Sequence, residues 1–143
     1  MRVLGIDVGR RRIGLAISDR SRTLARPLAT LAVSDRRSGV DRVAREIERL
    51  AAEEDGLAAI VVGVPRKLDG SPSDEGRHAE AFIAALGACT ALPIAREDER
   101  LTSREAESRL AIRERDWRRR KEKLDAAAAA VILQDYLDRH RSG

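Results

Sequence analysis

The chain has 143 residues, of which 43% are hydrophobic and only 2% aromatic, so we expect one core built from Leu, Ile, Val and Ala. Its single cysteine excludes an intramolecular disulfide and a cysteine-based zinc site. The longest apolar runs, residues 57–64 and 126–133, are too short to cross a bilayer, and no signal peptide precedes them. These features predict one cytoplasmic domain over residues 1–143, without a membrane partner.

The net charge of +4 is concentrated in one segment of the chain. Residues 115–123 hold six basic and two acidic side chains, and the remaining residues are balanced in charge. A concentrated basic patch on an otherwise balanced protein is typical of a surface that binds a polyanion. A solubilising surface loop is the alternative interpretation of this segment.

The first predicted elements are extended. A β-hairpin is expected with strands near residues 2–8 and 13–19. A third extended segment covers residues 23–33, in which Pro27 indicates a bulge or an edge strand. Residues 57–64 form a continuous apolar run rich in β-branched side chains, which is typical of a central strand buried on both faces.

Helical spacing of apolar residues predicts four helices in the rest of the chain, with one short strand among them. The first helix begins with Ser38 as its N-cap, and Asp55-Gly56 ends it. Thr102 and Glu105 form a capping box that begins the third helix. The remaining elements are a helix near residues 75–88, a strand at 92–95 with a charged end at 96–100, and a last helix from near Lys123.

This order of elements predicts an α/β fold with a mixed sheet. Three strands in succession are expected to pair antiparallel, and the later strands are joined by helical crossovers. The opening glycines raise the possibility of a doubly wound nucleotide-binding fold. However, Gly5, Gly9 and Gly14 lack the dinucleotide-binding spacing, and no Walker lysine follows a glycine-rich loop.

Several carboxylates stand where an exposed acid is not expected. Asp7 interrupts the first strand, Asp98 and Glu99 end the last predicted strand, and Asp125 lies in the first turn of the last predicted helix. A charged carboxylate inside an apolar strand is costly unless a metal or a cation accompanies it. Adjacent strand residues point to opposite faces, so only one of Asp98 and Glu99 can face Asp7, and the residues alone leave both open. Oxygen ligands without His or Cys favour Mg²⁺ or Mn²⁺.

Each acid also has a structural interpretation. Asp7 can cap the turn after a strand. Glu99 can pair with Arg96 or Arg100, and Asp125 can interact with the helix dipole. Only the set of three therefore points to metal chemistry, in which paired ions activate water and stabilise the leaving oxygen of a phosphodiester.

Basic and aromatic side chains near these acids are candidates for nucleic-acid contacts. The basic side chains nearest Asp7 are expected to bind phosphates. Trp117 can either stack on an unpaired base or pin its segment to the core, and His78 is interpreted as a surface residue near the substrate. The candidates are Arg10, Arg11, Arg12, Arg66, Lys67, Arg100, Trp117, Arg118, Arg119, Arg120, Lys121 and Lys123.

Four motifs, in order along nearly the whole chain, resemble the YqgF (RuvX) family. They are Gly5-Ile6-Asp7-Val8-Gly9 with Arg12-Ile13-Gly14, Val62-Gly63-Val64-Pro65 with Asp69-Gly70, Asp98-Glu99-Arg100-Leu101-Thr102, and Leu124-Asp125 with Ala127-Ala128 and Ile132-Leu133-Gln134. The resemblance implies a ribonuclease H-like fold similar to the RuvC Holliday-junction resolvases. That fold is a mixed five-stranded sheet with helices on both faces.

The resemblance also implies which residues are functional. Asp7, Glu99 and Asp125 would be the catalytic acids that hold Mg²⁺ or Mn²⁺, with Glu99 rather than Asp98 facing the metal. The basic segment before Asp125 would be a mobile substrate-binding loop.

The chain departs from the family's pattern at two positions. Arg10 stands where the family often has a small hydroxylated residue, which alters the loop without removing the acid. Ala128 stands where resolvase-type relatives have a fourth acid. We therefore expect a site of three carboxylates that binds metal more weakly.

The residues and the resemblance together predict a metal-dependent nuclease with RNA favoured over DNA as its partner. The resemblance implies that it processes the pre-16S ribosomal RNA end in ribosome biogenesis. The sequence leaves open whether the chain is a monomer or a homodimer. The alternatives are a DNA endonuclease like the Holliday-junction resolvases and a non-catalytic, metal-dependent nucleic-acid-binding module. A sugar-kinase-like phosphotransferase also opens with an Asp-x-Gly hairpin, but it needs a second domain for which 143 residues leave no room.

Overall fold

A computed structural model of the chain describes residues 1–98 and 117–140, with the backbone alone for residues 117–124. The third predicted helix, which the Thr102 capping box would begin, lies outside these residues. The described elements are β1 (Arg2–Val8), β2 (Arg12–Ser18), β3 (Ala25–Ala32), α1 (Arg36–Ala52), β4 (Leu57–Val64), α2 (Asp74–Gly87), β5 (Ile94–Asp98) and α3 (Trp117–Arg139).

The five strands form one mixed sheet in the order β3-β2-β1-β4-β5. β1, β2 and β3 pair antiparallel, whereas β4 and β5 run parallel to β1. The parallel strands are connected through α1 and α2, as helical crossovers require. The prediction of a mixed five-stranded sheet is confirmed.

Helices cover both faces of the sheet because its central strands are apolar on both sides. On one face, alternate strand residues such as Leu4 and Ile6 pack with Phe82 and the other buried side chains of α1 and α2. On the other face, Val3 and Val61 pack against α3. This division follows from the two-residue alternation of side chains along a strand, and it confirms that β4 is buried on both faces.

The edge strand β3 has the irregularity that Pro27 predicts. The register between β2 and β3 shifts between Leu15 and Ala16, where Pro27 lies opposite Ala16. Proline has no N–H to donate to the ladder, so an edge strand with a bulge accommodates it. This prediction is confirmed.

The N-cap of α1 is Asp35, so the prediction of Ser38 is wrong. The Asp35 carboxylate accepts a hydrogen bond from the Ser38 N–H at 2.8 Å, and the Asp35 N–H donates to the Ser38 hydroxyl at 3.3 Å. Both residue types cap helices well, and here they form one capping box in which the serine is the third helical residue.

β5 lies later than predicted, at Ile94–Asp98 instead of residues 92–95. The charged residues Arg96 and Glu97 continue the ladder because each forms an ion pair with an oppositely charged residue on a helix. Arg96 Nε lies 2.7 Å from the Glu80 carboxylate of α2. Glu97 pairs with Arg139 of α3. Charge in this segment therefore does not end the strand.

α3 begins at Trp117, six residues before the predicted start near Lys123. The sequence from 117 to 139 lacks glycine and proline and is rich in alanine, leucine, arginine and lysine, which are strong helix formers. Asp125 therefore lies in the helix interior, and its interpretation as a first-turn helix-dipole contact is wrong. Residues 117–123 form helix rather than the loop that the resemblance implied. None of the described helices, α3 included, is long and apolar enough to cross a membrane.

Close contact with β1 and β3 fixes α3 on the sheet. The side-chain amide of Gln134 accepts from the Ala25 N–H and donates to the Thr23 carbonyl, both at 2.9 Å. A Cβ atom on Gly5 would lie only 2.7 Å from Leu133 Cβ. The absence of a side chain at Gly5 is thus what allows the helix to approach the strand.

We predict that Gly5→Ala lowers the free energy of unfolding by about 1–3 kcal/mol, the usual effect of overpacking a tight interface. Gly87→Ala is the matched control, because a Cβ atom on Gly87 would meet nothing within 4 Å. Urea denaturation of both variants measures the difference. Equal stabilities of the two variants would contradict the close packing of α3 on β1.

Candidate functional site

The candidate site lies where β1 ends. Asp7 is the next-to-last residue of β1, is half-buried, and pairs directly with Gly14 of β2. Strand alternation places Asp7 on the same face as Gly5, which is the face that α3 covers. The carboxylate therefore stands at the edge of the interface between the sheet and α3.

Gly14 brings the second predicted acid to Asp7. A Cβ atom on Gly14 would overlap the backbone carbonyl of Asp125, so this part of α3 lies directly on β2. Asp125 is also half-buried. Two acids separated by more than a hundred residues in sequence thus flank a single glycine, one beside it in the sheet and one above it in the helix.

A cation accompanies Asp125. Arg12 Nε lies 3.6 Å from Asp125 Oδ2, and the two side chains are 32% and 30% exposed. Arg12 lies two residues before Gly14, so it points to the same face of β2. A residue that the sequence predicts as a phosphate contact therefore pairs with a predicted metal ligand and partly offsets the charge of Asp125.

The sequence leaves open whether Asp98 or Glu99 faces Asp7, and the register of β5 gives the orientation of Asp98. Asp98 pairs with Val64, which belongs to the core beneath α1 and α2, and Glu97 pairs with Gly63 on the α3 face. Asp98 therefore points to the face opposite that of Asp7. Glu99 lies outside the described residues.

Glu97 is a buried acid that the sequence reasoning missed. It is only 3% exposed, and its Oε1 atom lies 2.5 Å from Arg139 Nη1, although not in hydrogen-bonding geometry. Burial raises the pKa of Glu97, and Arg139 acts in the opposite direction. We interpret the pair as an anchor of the α3 C-terminus. A glutamate in the charged run 96–100 resembles a surface residue, and only the strand register reveals its burial.

The structure describes some of the residues that the sequence predicts as phosphate contacts. Arg10 and Arg11 are exposed in the turn after β1, and Arg66 and Lys67 are exposed in the loop after β4. Because β1 and β4 are parallel neighbours, both loops lie at the same end of the sheet. Arg66 also lines a pocket of about 460 Å³ with Pro65, Pro72 and the first turns of α2.

The remaining candidates precede Asp125 or follow β5. Arg100 lies outside the described residues. The others lie within the two helical turns of α3 before Asp125, where the backbone alone is described: Trp117, Arg118, Arg119, Arg120, Lys121 and Lys123.

The donors at this site suit a hard cation. The described residues contain no group of three or more His, Cys, Asp or Glu side chains able to hold a metal ion. The two carboxylates nearest Gly14 in the described part of the chain are those of Asp7 and Asp125. Oxygen donors alone match Mg²⁺ or Mn²⁺ better than a softer metal.

Comparisons with known proteins agree in family and in fold. The model of the family RuvX, described as a Holliday junction resolvase, matches residues 1–139. A protein of Anaeromyxobacter sp. (strain Fw109-5) is 41% identical over 138 residues, which are 96% of this chain and 97% of that protein. A protein of Chloroflexus aggregans (strain MD-66 / DSM 9485) is 40% identical over 140 residues, covering 98% and 95%. Both are named "Putative pre-16S rRNA nuclease".

Among solved structures, RuvC of T. thermophilus in complex with Holliday junction substrate superposes with a TM-score of 0.56. The sequence identity is 16%, and the match covers 99% of this chain and 97% of that one. At this identity the likeness concerns the fold, which is ribonuclease H-like in both chains.

Proposed function

The chain belongs to the RuvX family of nucleases, and on that premise we propose that it hydrolyses phosphodiester bonds of a pre-16S ribosomal RNA with the help of Mg²⁺ or Mn²⁺. The observation that carries the proposal is the meeting of Asp7 and Asp125 at Gly14. The names of the relatives support the substrate class.

In this proposal Asp7, Asp125 and Glu99 hold the metal. Asp7 is held by the β1–β2 ladder, and Asp125 is held by α3 where it lies on Gly14. When bound, the metal would polarise the scissile phosphate and lower the pKa of an attacking water. We assign the third position to Glu99 rather than Asp98, because Asp98 points away from Asp7 and strand side chains alternate.

In this proposal, arginine and lysine side chains bind the phosphates of the substrate. Arg10 and Arg11 are exposed three and four residues beyond Asp7, and Arg66 and Lys67 are exposed at the same end of the sheet. Arginine matches phosphate oxygens with paired N–H donors. The first turns of α3, which are rich in arginine and lysine, lead directly to Asp125 along the chain.

A second candidate substrate is a four-way DNA junction, which the description of the family and the RuvC fold favour. A resolvase for a two-fold symmetric junction is expected to be a symmetric dimer. We propose a cytoplasmic enzyme with RNA as its main substrate, since the closely similar relatives carry the ribosomal RNA name.

The test is a cleavage assay on end-labelled pre-16S RNA and on a four-way DNA junction, with Mg²⁺, Mn²⁺ or a chelator. We expect metal-dependent cleavage of the RNA and none with the chelator. Cleavage that persists in chelator, or binding without cleavage under every condition, would overturn the proposal. The mass in solution, measured on the same preparation, tests the dimer that the junction substrate requires.

A further inference from the structure

A second group of basic side chains lies on the other side of the β1–β2 turn from Asp125. His78 of α2 is half-buried, and its Nδ1 atom lies 3.2 Å from Nη2 of Arg36, in the first turn of α1. His78 also lies near the backbone of Gly9 and is close enough to Arg10 to feel its charge. Three separate parts of the chain therefore bring two arginines and a histidine to one place.

The pKa of His78 reflects both its burial and the neighbouring arginines. Burial lowers the pKa of His78 most, and Arg36 and Arg10 lower it further, whereas the backbone of Gly9 and the carboxylate of Glu75 act in the opposite direction. A guanidinium group has no acceptor, so the Nδ1 atom of His78 must accept from Arg36. The histidine is thus held neutral between two arginines, an arrangement that an anion would stabilise.

We propose that Arg10, Arg36 and His78 form a subsite for a backbone phosphate of the nucleic-acid strand, next to the phosphate that is cleaved. This inference rests on the proposed function. Only two residues, Val8 and Gly9, separate Arg10 of the subsite from Asp7, so a strand lying across the β1–β2 turn reaches both places.

A phosphate suits this subsite better than other anions. Two arginines from different elements present forked donors that match phosphate oxygens. A bound phosphate would oppose the effects of burial and of the two arginines on His78. The imidazole would then gain a proton at Nδ1, and Arg36 would turn from Nδ1 to the phosphate.

The test compares variants that each lose one arginine charge. Arg36→Gln removes the proposed contact, and Arg20→Gln is the matched control, since Arg20 is 71% exposed and pairs with Asp55 at the opposite end of β2. Affinity for a fluorescent single-stranded RNA oligonucleotide is measured in chelator over a range of salt concentrations. We expect Arg36→Gln to weaken binding about 3- to 10-fold and to reduce the salt slope by about 0.7. Equal behaviour of the two variants would overturn the inference.

A proton NMR titration gives an independent readout, because the chain has two histidines. His140 stacks on Tyr136 at the end of α3, on the other face of the sheet, and serves as the internal control. Adding the oligonucleotide should raise the pKa of His78 and leave the chemical shifts of His140 unchanged. An unmoved His78 at saturation would contradict the subsite.

These outcomes separate the inference from the nuclease proposal. Metal-dependent cleavage that is insensitive to Arg36→Gln overturns the subsite alone. Binding that depends on Arg36, without cleavage in any metal, overturns the nuclease and keeps the subsite. If the protein without substitutions does not bind the oligonucleotide, both the subsite and the nuclease proposal are overturned.

Discussion

Asp7→Asn is expected to reduce metal-dependent cleavage by about a thousandfold, which corresponds to ~4 kcal/mol of lost transition-state stabilisation. The amide keeps the shape of the side chain but loses the negative charge that a divalent ion requires. Because Asp7 is half-buried in the β1–β2 ladder, the isosteric change should leave the fold intact. Initial rates at saturating Mg²⁺ or Mn²⁺ measure the effect, and circular dichroism checks the fold.

Asp98→Asn is the control for this result. Asp98 is also a carboxylate at the end of a strand, but it pairs with Val64 and points to the opposite face of the sheet. We expect its replacement to change the cleavage rate by less than about threefold. Equal losses in the two variants, or full activity of Asp7→Asn, would remove Asp7 from the mechanism.

Gly14→Ala is expected to lower kcat by about a hundredfold, the usual consequence of moving a catalytic group by about 1 Å. An added Cβ atom would overlap the backbone carbonyl of Asp125, so α3 must shift away from β2 and carry that carboxylate with it. Asp7 itself, the cross-strand partner of Gly14, keeps its position in the ladder. The variant therefore tests the geometry of the pair without removing either acid.

Gly5→Ala separates this geometric effect from a loss of stability. Its added Cβ atom also presses on α3, but at Leu133, two helical turns beyond Asp125. Both variants are assayed at a temperature at which each is fully folded, as shown by urea denaturation. Equal losses of activity would mean that general loosening of α3, rather than displacement of Asp125, is responsible.

Much of the fold could be predicted because its signals are local. The apolar run 57–64 coincides with β4, and Pro27 marks the irregular edge strand. The start of α3 and the bounds of β5 could not be predicted in this way. In β5 the charged Arg96 and Glu97 are stabilised by partners on helices far away in sequence, and no local pattern contains that information.

In the candidate site, too, the individual residues could be predicted from local signals, whereas their arrangement could not. Asp7 and Asp125 stand out in the sequence as acids among apolar residues. Their meeting at Gly14 depends on the β1–β2 register and on the close approach of α3, which only the folded chain provides. The contact of Arg36 with His78 depends in the same way on how α1 and α2 pack beside the turn.

In the proposed site, acids distant in sequence share one divalent ion, and anomalous diffraction from crystals soaked in Mn²⁺ would locate that ion. The proposal predicts an anomalous peak within coordination distance, about 2.0–2.3 Å, of carboxylate oxygens of Asp7, Asp125 and Glu99. The peak should be absent from crystals of Asp7→Asn. A chain that binds Mn²⁺ elsewhere, or equally well without the Asp7 carboxylate, would contradict the proposed nuclease site.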